Sequence, residues 1–184
     1  MKQSWLLIIV TLSAGNGAGL LINGDFEQPL TTGWSQYIAG PGTIDRAVDY
    51  DADPDYEAQV AIYTKGVYGK LYQTVTIPTI DLRFSINAKL KAFVNELTGH
   101  WAGSSVSIAY ADGDGRHLGS TRICARTPSC PWVNTLNHHL IDARDTLWDT
   151  YEFDVCQELK NLPGVTISAI KKIEISLYSE TYHC

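Results

Sequence analysis

The strongest signal for the fold in this sequence is Leu21-Ile22-Asn23-Gly24-Asp25-Phe26-Glu27, followed after a short polar gap by Gly33-Trp34. Apolar side chains at Leu21, Ile22 and Phe26 surround a polar Asn-Gly-Asp turn, and an acidic residue stands on either side of Phe26. Apolar residues grouped around such a turn are typical of a chain that enters a β-sheet. The stretch therefore predicts the first strand of a β-sandwich.

Alternation of apolar and polar residues extends this pattern through the rest of the chain. Every second residue is apolar in 84–92, 106–110 and 173–177, and the turn 112–115 has the Asp-Gly chemistry of a hairpin. A period of two indicates half-buried strands, and only 157–161 favours a helical turn. The sequence predicts an all-β fold, a two-sheet antiparallel β-sandwich with at most short helical turns.

Size and composition favour one globular domain. The chain has 184 residues, which fits a single core. Ten Tyr and five Trp against one Met favour β structure with aromatic surfaces. A net charge of −6 argues against nucleic acid as a partner, because phosphates require a basic surface.

Catalytic motifs give no assignment. The sequence has no Gly-x-Ser-x-Gly elbow, no His-Glu-x-x-His helix and no Gly-rich phosphate loop. His138-His139 with Asp142 resembles a base with an orienting carboxylate, but the sequence places no nucleophile beside them. We therefore expect a protein without enzymatic activity.

Residues 1–19 have two interpretations. Lys2, the apolar run Trp5 to Leu12 and the small residues after it fit a secretory signal peptide, which predicts a secreted, extracellular protein with its domain in 20–184. The run is too short for a membrane span, which needs about 20 apolar residues. The β-branched residues in the same run also suit a retained N-terminal strand.

The cysteines predict disulfide bonds. Four are present, Cys124, Cys130, Cys156 and Cys184. An even number in a chain expected to be exported favours pairing, with three connectivities open. Cys124 and Cys130 enclose a short Pro-containing loop, so their pairing is preferred and leaves Cys156 with Cys184. A metal site is the weaker alternative, because neither pair has Cys-x-x-Cys spacing.

The opening stretch resembles jelly-roll carbohydrate-binding modules and the galactose-binding-like domains related to them. Those modules typically begin Asn-Gly-(Asp/Gly)-Phe-Glu and soon reach Gly-Trp. Gly69 to Pro78 is similar to a later strand of theirs, Ala111 to Gly119 to their central hairpin, and Trp148 to Tyr151 to the start of a further strand. The resemblance implies a jelly roll that binds polysaccharide or surface glycan.

Sugar binding requires flat aromatic faces together with polar side chains. The candidate ligand-binding residues are Trp101, Trp132, Tyr56, Tyr68, His100 and Asn134. We expect Trp101 and Trp132 to lie in loops and to share one exposed groove. The alternative for each single aromatic is packing in the core or in a loop.

The resemblance also implies a structural calcium ion at Asp25 and Glu27. Calcium takes about six to eight oxygen ligands, and the Asp that the family carries in its last strand has no match here. The alternative is a solvated strand end. A second acidic run, Asp45 to Glu57, lacks the spacing of an EF-hand loop and is interpreted as a solvated loop.

The end of the chain suggests a second function. The sequence stops soon after 173–178, without the last strand that the family carries. A missing edge strand would leave backbone groups unpaired, and Trp5 to Leu12 of another copy would be able to pair with them. The alternative function is therefore a structural subunit of an extracellular filament or surface layer, which self-assembles by β-strand donation.

Overall fold

Eleven strands form two sheets in the residues that the computed structural model describes, which are 6–14, 19–48, 55–64, 66–94 and 99–183. The strands are β1 Leu6–Ala14, β2 Ser35–Ala39, β3 Gly42–Ala47, β4 Glu57–Ile62, β5 Val67–Thr76, β6 Leu82–Leu90, β7 His100–Ala111, β8 His117–Arg126, β9 His138–Asp142, β10 Trp148–Asp154 and β11 Lys172–His183. Helix is limited in this part of the chain to α1, Val155–Glu158, and two 3-10 turns, Leu159–Asn161 and Ile167–Ala169.

The two sheets are mostly antiparallel. The five-stranded sheet has the order β10-β6-β1-β4-β3, and the six-stranded sheet has the order β2-β5-β11-β7-β8-β9. The pair β8 and β9 is parallel, and the other neighbours are antiparallel. The predicted all-β sandwich with short helical turns is confirmed.

The core lies between the sheets, where the alternation of the sequence predicts it. Phe84 and Ile86 of β6 are buried in one sheet, and Ile108, Tyr110 and Ile175 are buried in the other. Because side chains on a strand point to alternate faces, the residues between them lie on the outer faces. The outer face of the six-stranded sheet is the one that carries the candidate site.

The N-terminal segment is a central strand of the five-stranded sheet. β1 pairs with β6 at nine positions, from Leu6 opposite Leu90 to Ala14 opposite Leu82, and also pairs with β4. Leu12 is fully buried in the common core. This geometry matches the strand interpretation of residues 6–14, whereas removal of the segment as a signal peptide stays a prediction.

The opening stretch forms turns, so the prediction of a strand there is wrong. Asn23 and Phe26 have φ values of 53° and 57°, in the left-handed region that no β-strand uses. The Ile22 N–H donates to Oε1 of Gln73 at 2.8 Å, and Nε2 of Gln73 donates to the Ile22 carbonyl at 2.9 Å. The turn places Phe26 in the core, 5.1 Å from the ring of Trp34.

The last strand lies in the middle of the six-stranded sheet. β11 pairs with β5 on one side and with β7 on the other. The open edge that the resemblance predicted beside the last strand is therefore not present there. The edges are β2 and β9 in this sheet and β10 and β3 in the other. No helix among the described residues is long and apolar enough to cross a membrane.

The cysteines of the described residues are free thiols, namely Cys124, Cys130 and Cys156. The predicted bond between Cys124 and Cys130 is not formed, because Cys124 is held within β8, paired with β7 and β9, where its Sγ lies 3.9 Å from Oδ1 of Asp142. Burial raises the pKa of the Cys124 thiol to about 11 and also raises the pKa of Cys130. Cys184, the predicted partner of Cys156, lies outside the described residues.

Candidate functional site: an aromatic row beside a basic cleft

Six aromatic side chains form a continuous row across the outer face of the six-stranded sheet. In order along the row they are Tyr37, Tyr68, Tyr178, Trp132, Trp101 and Tyr182. Successive ring centroids are 5.2, 5.8, 6.1, 6.3 and 5.9 Å apart. Such spacings are those of interacting aromatic pairs, so the rings form one surface, called the aromatic row below.

Neighbouring strands supply the row. Tyr37 lies on β2, Tyr68 on β5 and Trp101 on β7, and β11 carries both Tyr178 and Tyr182. β11 lies between β5 and β7 in the sheet order, so Tyr178 stands between the rings of Tyr68 and Trp132, while Tyr182 ends the row beside Trp101. Residues 173, 175 and 177 of β11 point into the core, and side chains alternate along a strand. Tyr178 and Tyr182 therefore lie on the outer face of the sheet.

Trp132 is seated on a glycine. It follows β8 in the chain and lies over Gly103 of β7, where an added Cβ would come within 2.5 Å of the Trp132 ring. Nη1 of Arg126 donates to the Trp132 carbonyl at 2.8 Å, and the same guanidinium pairs with Asp142 at 3.0 Å. Because Gly103 has no side chain, the Trp132 indole can pack directly against the backbone of β7.

A cleft of about 270 Å³ opens beside Trp132. Its lining residues are Ser120, Arg122, Pro131, Trp132, Val133, Thr135, His138 and Leu140. The Arg122 guanidinium lies 4.4 Å from the ring centre of Trp132 and 5.6 Å from that of Tyr178, and its Nε donates to Oγ of Ser107 at 3.1 Å. Burial lowers the pKa of Arg122. Trp132 thus belongs to both the row and the cleft.

Ser120 and His138 lie within hydrogen-bonding distance in this cleft. Ser120 Oγ is 2.9 Å from Nδ1 of His138, whose ring stacks on His117 with centroids 5.6 Å apart. Such a distance suits a nucleophile and its base, but no described carboxylate orients His138, and Ser120 is buried. The hydrogen bond with Ser120 therefore orients the His138 imidazole in the wall of the cleft.

His138, His139 and Asp142, which in sequence resemble a base with an orienting carboxylate, do not form one cluster in the structure. Asp142 pairs with Arg126, while His139 Nδ1 lies 2.5 Å from Oε1 of the buried Glu158. Glu158 also accepts hydrogen bonds from Thr121 and Asn161. These hydrogen bonds of Glu158 join α1 to β8 and β9. Their role is structural.

Three of the predicted sugar-binding residues come together in the row, namely Trp101, Trp132 and Tyr68. Trp132 lies in a loop as predicted, whereas Trp101 lies in β7 because the strand begins at residue 100.

The other three lie elsewhere. His100 is buried and adjacent to Trp101 on the strand, so it faces away from the row. Oδ1 of Asn134 accepts a hydrogen bond from the Leu140 N–H at 2.6 Å, which ties the loop to β9. Tyr56 lies under the guanidinium of Arg46, 3.7 Å from its ring centre.

Sequence reasoning missed Tyr37, Tyr178, Tyr182 and Arg122. A signal for Tyr178 was present, because extending the alternation of 173–177 by one residue places it on the outer face. No signal in the sequence brings Arg122 to Trp132, since that contact depends on the fold of the loop after β8.

The carboxylates predicted to hold calcium have protein partners. Oε1 of Glu27 accepts the Tyr56 N–H at 3.0 Å, and Oδ1 of Asp25 accepts the Glu27 N–H at 3.4 Å. Among the described residues, no group of three His, Cys, Asp or Glu side chains is placed to hold a metal ion. Residues 49–54 of the acidic run lie outside that part of the chain, and calcium stays a prediction.

Comparison with known proteins finds similarity at the level of structure. No protein-family model matches the chain, and no curated protein matches it. A crystal structure of the enzymatically active domain of tailspike protein 4 from bacteriophage CBA120 matches with a TM-score of 0.48 and 16% sequence identity over 88% of this chain. The match spans 19% of the length of the chain in that crystal structure.

The expectation of a protein without enzymatic activity is contradicted, because this neighbour is described as an enzymatically active domain. We therefore withdraw that expectation. A TM-score below 0.5 equally assigns no activity to this chain.

Proposed function

We propose that this protein binds carbohydrate on the outer face of its six-stranded sheet. The observation that carries the proposal is the aromatic row, five consecutive ring contacts that cross four neighbouring strands. The apolar faces of sugar rings stack on such surfaces, and successive rings suit successive sugar units of a chain. The substrate class is therefore a polysaccharide or a surface glycan.

The exposure of the row supports the proposal. Tyr37 and Tyr182 at its two ends are 50% and 45% exposed, while Trp101 and Trp132 are half-buried. Aromatic side chains that serve only the core are buried more deeply, as Tyr110 and Phe84 are in this protein. A contiguous exposed aromatic surface marks a binding site in a folded domain.

Polar groups beside the rings supply hydrogen bonds for sugar hydroxyls. Lys70 and Glu174 form an ion pair of 2.7 Å on the same face, and Lys70 also lies over Tyr72, 4.6 Å from its ring centre. Burial and the neighbouring Glu180 raise the pKa of the Tyr178 hydroxyl. Rigid aromatic platforms with few fixed polar groups are the usual composition of a sugar site.

Truncation of the row tests the proposal. In a glycan array followed by titration, Trp132→Ala and Trp101→Ala are expected to weaken binding at least 10-fold, because each removes a stacking platform at the centre of the row. Quenching of tryptophan fluorescence on binding gives a second reading, since both indoles lie in the row. Tyr63→Ala is the matched control, a 41% exposed aromatic outside the row.

The result that would overturn the proposal is glycan binding that persists unchanged in both tryptophan variants, or a protein that binds no glycan at all. Assembly into a filament remains a prediction, and the open edge on which it relied is not present beside β11.

A further inference from the structure

We infer that the cleft beside the aromatic row binds the carboxylate of an acidic sugar unit, with the guanidinium of Arg122 as its partner. The inference rests on the proposed function and narrows it from carbohydrate in general to chains that contain a uronic acid.

Arg122 is a cation without a carboxylate partner among the described residues. Its Nε is bonded to Ser107, but its two terminal nitrogens donate to none of the described groups. Arg126 nearby is neutralised by Asp142. The planar fork of a guanidinium matches a carboxylate, which accepts two parallel hydrogen bonds from it.

Other acidic groups do not neutralise Arg122. Glu180 raises the pKa of Arg122 through its charge, but the two side chains form no ion pair in the described part of the chain. Burial acts in the opposite direction and is the larger influence on this pKa. A partly desolvated cation that lacks a counter-charge gains most from a bound anion.

The position of Arg122 joins the cleft to the row. Its guanidinium lies against Trp132 and Tyr178, two consecutive rings. A sugar bound against Trp132 therefore brings its substituents within reach of the cleft. The volume of about 270 Å³ lies just under the roughly 300–1,000 Å³ of drug-sized pockets, which suits one sugar unit.

The cleft wall adds further hydrogen-bonding groups. Ser120, Thr135 and His138 line the cleft together with Arg122. The Thr135 Oγ1 accepts hydrogen bonds from the N–H groups of Asn137 and His138, which holds the loop in place. A hydroxyl and an imidazole beside a guanidinium suit a sugar acid, whose carboxylate is flanked by hydroxyls.

The test compares matched ligands on the whole protein. Oligosaccharides of galacturonic acid and of glucuronic acid are titrated beside their methyl esters, which keep the shape of each sugar and remove its charge. We expect the acid form of at least one oligosaccharide to bind about 10- to 100-fold more tightly than its ester, as a charge-assisted bidentate contact implies.

Arg122→Gln is expected to remove this preference, so that the acid form and its ester bind with similar affinity. Arg122→Lys keeps the charge but loses the fork, so it should retain only part of the preference. Arg116→Gln removes a cation that pairs with Asp112 in the β7–β8 turn, and it is the matched control for charge. Thermal unfolding of each variant shows whether it is folded.

Separate outcomes decide between the two proposals. Equal affinity for acid and ester, or a preference that survives in Arg122→Gln, would overturn this inference and leave carbohydrate binding intact. A sulfated neutral oligosaccharide that binds as tightly as the uronic acid would show a general anion site and would overturn the carboxylate assignment. Absence of binding to every form would overturn both proposals together.

Discussion

At the scale of single residues, Gly103 connects the sheet to the aromatic row. The Trp132 ring occupies the space in which any other residue would carry its Cβ. Glycine in the interior of a strand weakens it, and it is tolerated where another group approaches the backbone closely. Glycine at position 103 therefore lowers the intrinsic stability of β7 and in exchange leaves room for the Trp132 indole.

Gly103→Ala tests this placement. The new Cβ would lie 2.5 Å from the indole, so Trp132 must move, and we expect carbohydrate affinity to fall about as much as in Trp132→Ala. Near-ultraviolet circular dichroism should change with it. Gly113→Ala is the control, because its nearest neighbour is Cγ of Lys171 at 3.9 Å. Unchanged affinity and spectrum in Gly103→Ala would contradict the proposed seat of Trp132.

The thiol of Cys124 gives a second prediction at this scale. With its pKa raised to about 11 by burial, only about 0.1% of it is thiolate at pH 8, and the thiolate is the reactive form. We expect iodoacetamide at pH 8 to modify half-buried Cys156 well before Cys124, with peptide mass spectrometry as the measurement. Rapid modification of Cys124 in the folded protein, or a native disulfide with Cys130, would contradict the structure.

At the scale of elements, residue patterns predict where the strands lie better than they predict which strands pair in a sheet. The alternation in 84–92 and 106–110 reports burial on one face, so β6 and β7 were predictable from local sequence. The partner of β1 lies some 75 residues away, and no local signal specifies it. Local sequence likewise marks Trp101 and Trp132 as candidate site residues. It does not show that Tyr37 and Tyr182, on other strands, join them in the row.

Leu12→Ala tests whether β1 belongs to the folded domain. Leu12 is fully buried between the sheets, and its truncation should lower the free energy of unfolding by about 2–5 kcal/mol. Urea unfolding measures the change. Thr11→Ala is the control, since Thr11 is exposed and its only described side-chain contact is a 3.5 Å hydrogen bond to the Ser85 carbonyl. If Leu12→Ala unfolds like the unaltered protein, residues 6–14 are not part of the mature fold.

At the scale of the whole molecule, the net charge acts on the approach of a ligand, whereas the charge in the cleft acts on the ligand once it is bound. A net charge of −6 repels an acidic polysaccharide at long range and slows its association. The single unpaired guanidinium among the described cleft residues acts only at contact distance. Recognition of an acidic sugar by this protein is therefore local, and its specificity is expected in the dissociation rate.

The central position of β11 sets the order in which this surface is made. During synthesis, β2, β5, β7 and β8 leave the ribosome before residues 172–183, so the strand that joins β5 to β7 is the last to emerge. Tyr178 and Tyr182 arrive with it, so until it docks the row is interrupted between Tyr68 and Trp132 and lacks the end that Tyr182 forms. A nascent or truncated chain thus lacks a continuous platform, and ligand capture reports that the final strand has been inserted.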